Sequence, residues 1–169
     1  MVPMDRDGLP GGGETIAHLQ AAAREMVAAA RVFLDAVEHR WLEELGGMNI
    51  VLVYKDGSLV TPLSDSILPG ITRDSVLQLA EERGHRVTRR AVSIDEWREG
   101  FENGDIVEAF ACGTAAVITP IGQVKAKNFT IGSADAVAGE LTMSLRKELT
   151  DIQYGRTADT HGWMYRLDV

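Results

Sequence analysis

The 169-residue chain holds one cysteine, Cys112, so it can form no internal disulfide and no cysteine-rich zinc site, and it suits a reducing compartment. It has no run of about 18 apolar residues, the minimum for a membrane-spanning helix. Positive charge is scarce. Against 25 Asp+Glu it carries 17 Lys+Arg, a formal net charge of −8 that draws nothing to a nucleic-acid backbone. The opening MVPMDRDGLPGGG lacks the basic start and apolar stretch of a signal peptide. His18, His39, His85 and His161 are scattered, with no pair at helical i,i+4 spacing, so no metal site is expected. What is present, 45% hydrophobic and 25% charged residues, is ordinary for a globular domain. These features predict a cytoplasmic domain without nucleic-acid or membrane partners.

Along the chain, residues 1–13 read as a flexible lead-in, and residues 14–31, rich in alanine and free of proline and glycine, as a helix. VFLDAV (32–37) and MNIVLVY are apolar runs of strand type, and the Lys55-Asp56-Gly57 turn makes residues 48–61 a hairpin. Leu68-Pro69-Gly70 breaks the chain. An amphipathic helix follows from Ile71 to Arg83, with Val76, Leu77, Leu79 and Ala80 on one side and Gly84 as its cap. RVTRRAVS alternates as a strand, and Ser93-Ile94-Asp95-Glu96 is a capping box that opens a short helix through Trp97. Strands at 106–111 and 115–121 flank Cys112-Gly113-Thr114, and a last helix runs from about Ala136 to Ile152. Strands interspersed with helices, without a regular βαβ rhythm, give an α+β fold class.

Few residues announce chemistry. Gly11-Gly12-Gly13 lacks the Lys-Ser/Thr of a P-loop and reads as linker. Cys112 reads as a small buried residue rather than a nucleophile. Two segments stand out. In LPGITRD the unpaired N–H groups of a helix start and the Thr72 hydroxyl suit an anion, a dipole effect of ~0.3–1 kcal/mol, although Thr72 could equally be a simple N-cap. In ACGTAA small residues between two strands let backbone approach a ligand, or merely make a tight connection.

Taken in order, Glu44-Leu45-Gly46-Gly47-Met48-Asn49, LVTP, LPGITRD, FACGTAAVITP, LTDIQYG and DTHGW resemble the branched-chain amino-acid aminotransferases, fold-type IV enzymes that use pyridoxal 5′-phosphate (PLP). The resemblance runs from about Val32 to about Leu167. It implies the large C-terminal domain of that fold over residues 32–169, with the smaller N-terminal domain absent. By the same resemblance Glu44 pairs with the pyridine nitrogen of PLP and keeps the ring protonated. Ile71 and Thr72 hold its phosphate, with Thr114 as a second phosphate ligand. The N–H groups of Thr114 and Ala115 hold the substrate carboxylate, and Met48 borders the side-chain pocket. Glu38 and Glu43 have no family role and are expected to be solvated. Ala116 and Thr119 stand where some relatives carry a C-x-x-C redox pair.

The family's Schiff-base lysine precedes a G-G-N-Y motif, which falls by rough alignment at residues 11–15, where this chain reads GGGET. No lysine occurs before Lys55. Lys55 in a turn, Lys125 and Lys127 in a polar connection, and Lys147 on the last helix do not match the pattern. The resemblance therefore implies transfer of the amino group between leucine, isoleucine or valine and 2-oxoglutarate, in a chain without its central lysine. The alternative is a non-catalytic module that binds PLP or pairs with a full-length relative. A dimer is implied either way.

Overall fold

The computed structural model describes residues 32–34, 38–126, 129–165 and 167. The expected lead-in, the expected helix at 14–31 and Lys127 lie outside the described residues. The fold is organised on β3 (Met48–Tyr54), whose interior positions Ile50, Val51, Leu52 and Val53 are all buried. Side chains of a strand alternate between faces, so Val51 and Val53 join one core and Ile50 and Leu52 the other. On the first face pack α1 (Ile71–Glu82) and α3 (Glu140–Gln153), through Val76, Leu77, Leu145 and Leu149. On the second packs α2 (Ile94–Glu102), through Trp97. The α+β class and the central hairpin therefore appear as expected.

β3 has two edges, and one is taken from Asn49 onward by β6 (Ile106–Gly113), antiparallel from Asn49↔Cys112 to Tyr54↔Ile106. The other edge is shared. Its first half pairs with β2 (Leu42–Leu45) and its second half with β4 (Leu59–Pro62). The sheet thus forks at Ile50, whose carbonyl accepts a 2.7 Å hydrogen bond from the buried Thr61 hydroxyl. β1 (Val32–Leu34) lies outside β2, β5 (Val87–Arg90) runs parallel to β4, and β7 (Val117–Pro120) pairs with β6. Beyond β5 the chain returns to the start of β2: Leu42 N–H donates to Val92 O and Ile94 N–H to Arg40 O, at 2.8 and 2.9 Å. A separate two-stranded sheet, β8 (Gln123–Lys125) with β9 (Thr130–Gly132), packs beside α2.

Several elements differ from the sequence reading. β2 has no counterpart in the sequence pattern, because Leu42-Glu43-Glu44 does not read as apolar; the Gly46-Gly47 pair, with φ 59 and 85, makes the two-residue turn that joins it to β3. α2 runs on to Glu102. β5 is only the middle of RVTRRAVS, and of VFLDAV the described part of the strand is 32–34. β7 starts at Val117, not Ala115, because Thr114–Ala116 form the turn. α3 starts at Glu140, not Ala136. The backbone N–H groups of Leu141 and Thr142 and the Thr142 hydroxyl donate to Glu108 on β6, which fixes the helix start there. β8 and β9 occupy a segment that reads as a polar connection, and Lys125 sits in β8.

Candidate functional site

The N-terminal end of β3 gathers three separate stretches of chain. Glu44 on β2 faces Asn49 on β3, and Asn49 faces Cys112 on β6. Over this row passes the Leu68-Pro69-Gly70 segment. Asn49 Nδ2 donates to Leu68 O at 3.0 Å, and Leu68 N–H donates to Glu44 Oε1 at 3.2 Å. A Cβ added at Gly70 would stand 2.2 Å from Asn49 Oδ1, so only glycine lets the chain pass this close to the buried Asn49. The segment delivers the chain to the start of α1, whose N-cap is Gly70. Thr72 is therefore in the first turn and not the N-cap, and no side chain caps this helix. Its first N–H groups lack intrahelical partners by geometry, and the dipole makes that end electropositive.

The third stretch is the turn between β6 and β7. Gly113 pairs with Val117, and Thr114 and Ala115 between them are exposed. A Cβ at Gly113 would approach Met48 Cγ to 3.3 Å. Met48 thus borders the turn, yet it packs on the α2 face of the sheet, beside the core of Leu42 and Leu45. The structure brings Glu44, Ile71, Thr72 and the Thr114-Ala115 turn to one end of the sheet. Met48 stands across the sheet from Glu44.

The donor set suits a phosphate monoester joined to a protonated ring nitrogen. Thr72 and Thr114 offer hydroxyls that form no hydrogen bond among the described residues, next to an uncapped helix start. Glu44, half-buried, accepts one backbone N–H and has capacity for a further donor. Glu43, by contrast, accepts from the Ser66 hydroxyl and is not simply solvated. Glu38 is exposed and accepts from Trp41 Nε1 at 3.0 Å.

Two buried residues that sequence reasoning missed support the site. Asn49 holds the crossing segment, but sits inside what reads as an apolar strand. Arg73, only 6% exposed, donates through Nε and Nη2 to Asp74 at 3.0 and 2.9 Å and so carries its counter-charge with it. Cys112 lies beneath them, its thiol pushed up to about 12 by burial, with Arg73 pulling the other way. A thiol held so far from ionisation is a packing residue, in line with its sequence reading.

The described lysines lie elsewhere. Lys55 follows the far end of β3, about 20 Å away by strand rise, and pairs with Asp105. Lys147 pairs with Asp151 on α3, and Lys125 is exposed on β8. Among the described residues no helix is long and apolar enough to cross a membrane.

Residues 14–124 match the family described as amino-transferase class IV. That match begins upstream of Val32, where the motif resemblance sets in. The branched-chain-amino-acid aminotransferase of Mycolicibacterium smegmatis is 53% identical over 163 residues, which is 93% of this chain and 44% of that protein. The enzyme of the same name from Mycobacterium tuberculosis is 55% identical over 164 residues, 92% of this chain and 44% of that protein. The chain thus spans less than half the length of these relatives. Among solved structures, the Escherichia coli branched-chain amino acid aminotransferase is 30% identical with a TM-score of 0.64, covering 90% of this chain and 48% of that one. A second branched-chain amino acid aminotransferase, from T.th. and solved with pyridoxamine 5′-phosphate, is 28% identical with a TM-score of 0.66, over 93% of this chain and 50% of that one.

Proposed function

The chain belongs to the class IV amino-transferases, and from that premise we propose that it carries the cofactor-binding part of a branched-chain-amino-acid aminotransferase site. The observation that carries this reading is the convergence of Glu44, the uncapped start of α1 and the Thr114-Ala115 turn at one end of β3. When bound, PLP supplies a protonated pyridine ring that withdraws electrons from the Cα of an amino acid. Glu44 is the acceptor for the ring N–H and keeps it charged. Ile71 and Thr72, at the helix start, and Thr114 are the phosphate ligands. The N–H groups of Thr114 and Ala115 orient the substrate carboxylate, whereas Met48, on the opposite face of the sheet from Glu44, is left out of this reading.

Amino transfer also needs an amine that carries the cofactor and moves a proton at Cα. Among the described lysines, Lys55 pairs with Asp105, Lys147 with Asp151 and Lys125 is exposed on β8, and the sequence has no lysine before Lys55. The chain alone therefore binds PLP without exchanging the amino group of leucine with 2-oxoglutarate. A titration of the chain with PLP, followed by borohydride reduction and peptide mapping, tests this. The expected result is saturable binding, weakened by Glu44→Ala and by Thr72→Val, with no adduct concentrated on one lysine. Absence of binding sinks the reading, and leucine-dependent turnover sinks its non-catalytic part.

A second reading, in which the chain pairs with a longer relative, is favoured by exposed Leu63, Leu68 and Ile71 around the same site. A mixed species in native mass spectra with such a relative is its expected signature.

A further inference from the structure

The turn that carries Thr114 and Ala115 is held in an unfavourable shape. Val117, which closes it opposite Gly113, has φ 57, and the left-handed region is an outlier for a β-branched residue. Such a conformation persists where its surroundings over-determine it. The next residue along shows one such constraint: the Ile118 carbonyl accepts a hydrogen bond from Arg146 Nη1, reaching across from α3.

Arg146 is unusual among the described arginines. Arg73, Arg83, Arg90 and Arg98 each sit against a carboxylate. Arg146, half-buried, has no carboxylate within ion-pair distance among the described residues, and the one hydrogen bond its side chain makes among them goes to this main-chain carbonyl. Burial alone pushes its pKa down, with no neighbouring acid to offset it. A desolvated cation spent on a carbonyl is costly unless it does something for the fold or for a ligand.

We propose that Arg146 is a positioning residue of the anion site: by gripping the Ile118 carbonyl it holds the Thr114–Val117 turn in the strained shape that presents Thr114 and Ala115 to a phosphate monoester. Its unneutralised charge, based on the helix that packs against β7, also favours an anion over a neutral ligand at that turn. The identity of the ligand rests on the PLP reading above, whereas the grip on the turn does not.

The two parts separate in one set of variants. Arg146→Met keeps most of the side-chain volume and removes every donor. Hydrogen exchange of the unliganded chain is expected to quicken at residues 113–119 in R146M while α1 and β3 keep their protection. Fluorescence titration with PLP, with inorganic phosphate as competitor, is expected to show affinity lowered about tenfold, the usual effect of losing one charge-assisted hydrogen bond. Arg146→Lys, which keeps a donor, is expected to lose less and serves if R146M does not fold. Val117→Asn, a residue that tolerates the left-handed region, is expected to restore most of the affinity when added to R146M. Unchanged exchange in R146M overturns the proposal, and so does a double variant as weak as R146M. Quickened exchange in a chain that binds no PLP upholds the grip and overturns the ligand.

Discussion

At the scale of single residues, Gly70 is the position where the site tolerates least. Its φ is ordinary, and what demands glycine is space: a Cβ would overlap Asn49 Oδ1. Gly70→Ala is expected to cost about 1–3 kcal/mol, as overpacking of a filled site does, and to loosen the Asn49–Leu68 bond. Its measure is the urea midpoint, with PLP affinity falling alongside. Gly84→Ala differs in kind, because there φ is +86 with open space around it; it meets a backbone cost of about 1 kcal/mol and leaves ligand binding untouched. The Leu68-Pro69-Gly70 break was legible in sequence because proline and glycine interrupt a pattern. Asn49 was not, since its partner lies 19 residues away and its neighbours all read as core. Glu44 was legible only through resemblance. Nothing in its local pattern sets it apart from Glu43, and only the pairing with β3 gives the two carboxylates different surroundings.

Among elements, α3 shows how a helix boundary can be decided from outside the helix. Ala136–Ala138 are helix-compatible, so local propensity places the start too early. The first N–H groups of α3 are satisfied by Glu108, a side chain more than thirty residues upstream on β6, and Gly139 is where a Cβ would strike that carboxylate. Glu108→Ala is expected to lower stability by about 1–2 kcal/mol, the range for a lost cap at a helix start. Glu108→Gln, which retains an acceptor, is expected to lose less. Chemical denaturation of the two variants side by side provides the check. The N-cap at Ser93 was legible because its partner is three residues on, and the Ser93 hydroxyl accepts from Glu96 N–H as that spacing requires; the reciprocal half of the capping box is replaced by the Glu96 carboxylate accepting from Tyr54 and Arg90. Local devices could be read from the sequence, and devices that bridge β6 and α3 could not.

At the scale of the whole molecule, the acid limb of stability follows from where the carboxylates sit. Arg90, by hydrogen bonding, holds Glu96 below the usual carboxylate range, Lys147 does the same for Asp151, and the Met164 N–H for Asp159. In each case the folded pKa lies below the unfolded one, so the unfolded chain binds more protons in acid. That stabilisation is complete above the ordinary carboxylate range and is lost as pH falls through the depressed folded values. From pH 7 toward the sequence pI of about 5.0, shedding the net charge of −8 relieves self-repulsion and opposes the trend. Stability is therefore expected to stay level to about pH 5 and to fall below about pH 4, with a shallower fall in Glu96→Gln. Urea midpoints across that range measure it. The order of the motifs and the α+β class were legible at this scale. The forked sheet was not, because β2 and β4 are each too short to declare which half of β3 they occupy.

That fork has a mechanical side. The link from Val92 and Ile94 back to Leu42 and Arg40 joins its two arms at their far ends, so β3, β4, β5 and β2 form a hoop of backbone hydrogen bonds. A load placed on one side of a hoop is carried around both. Glu44 is thus mounted on a closed frame rather than on a cantilever, and a push on its carboxylate is shared by strands it never touches.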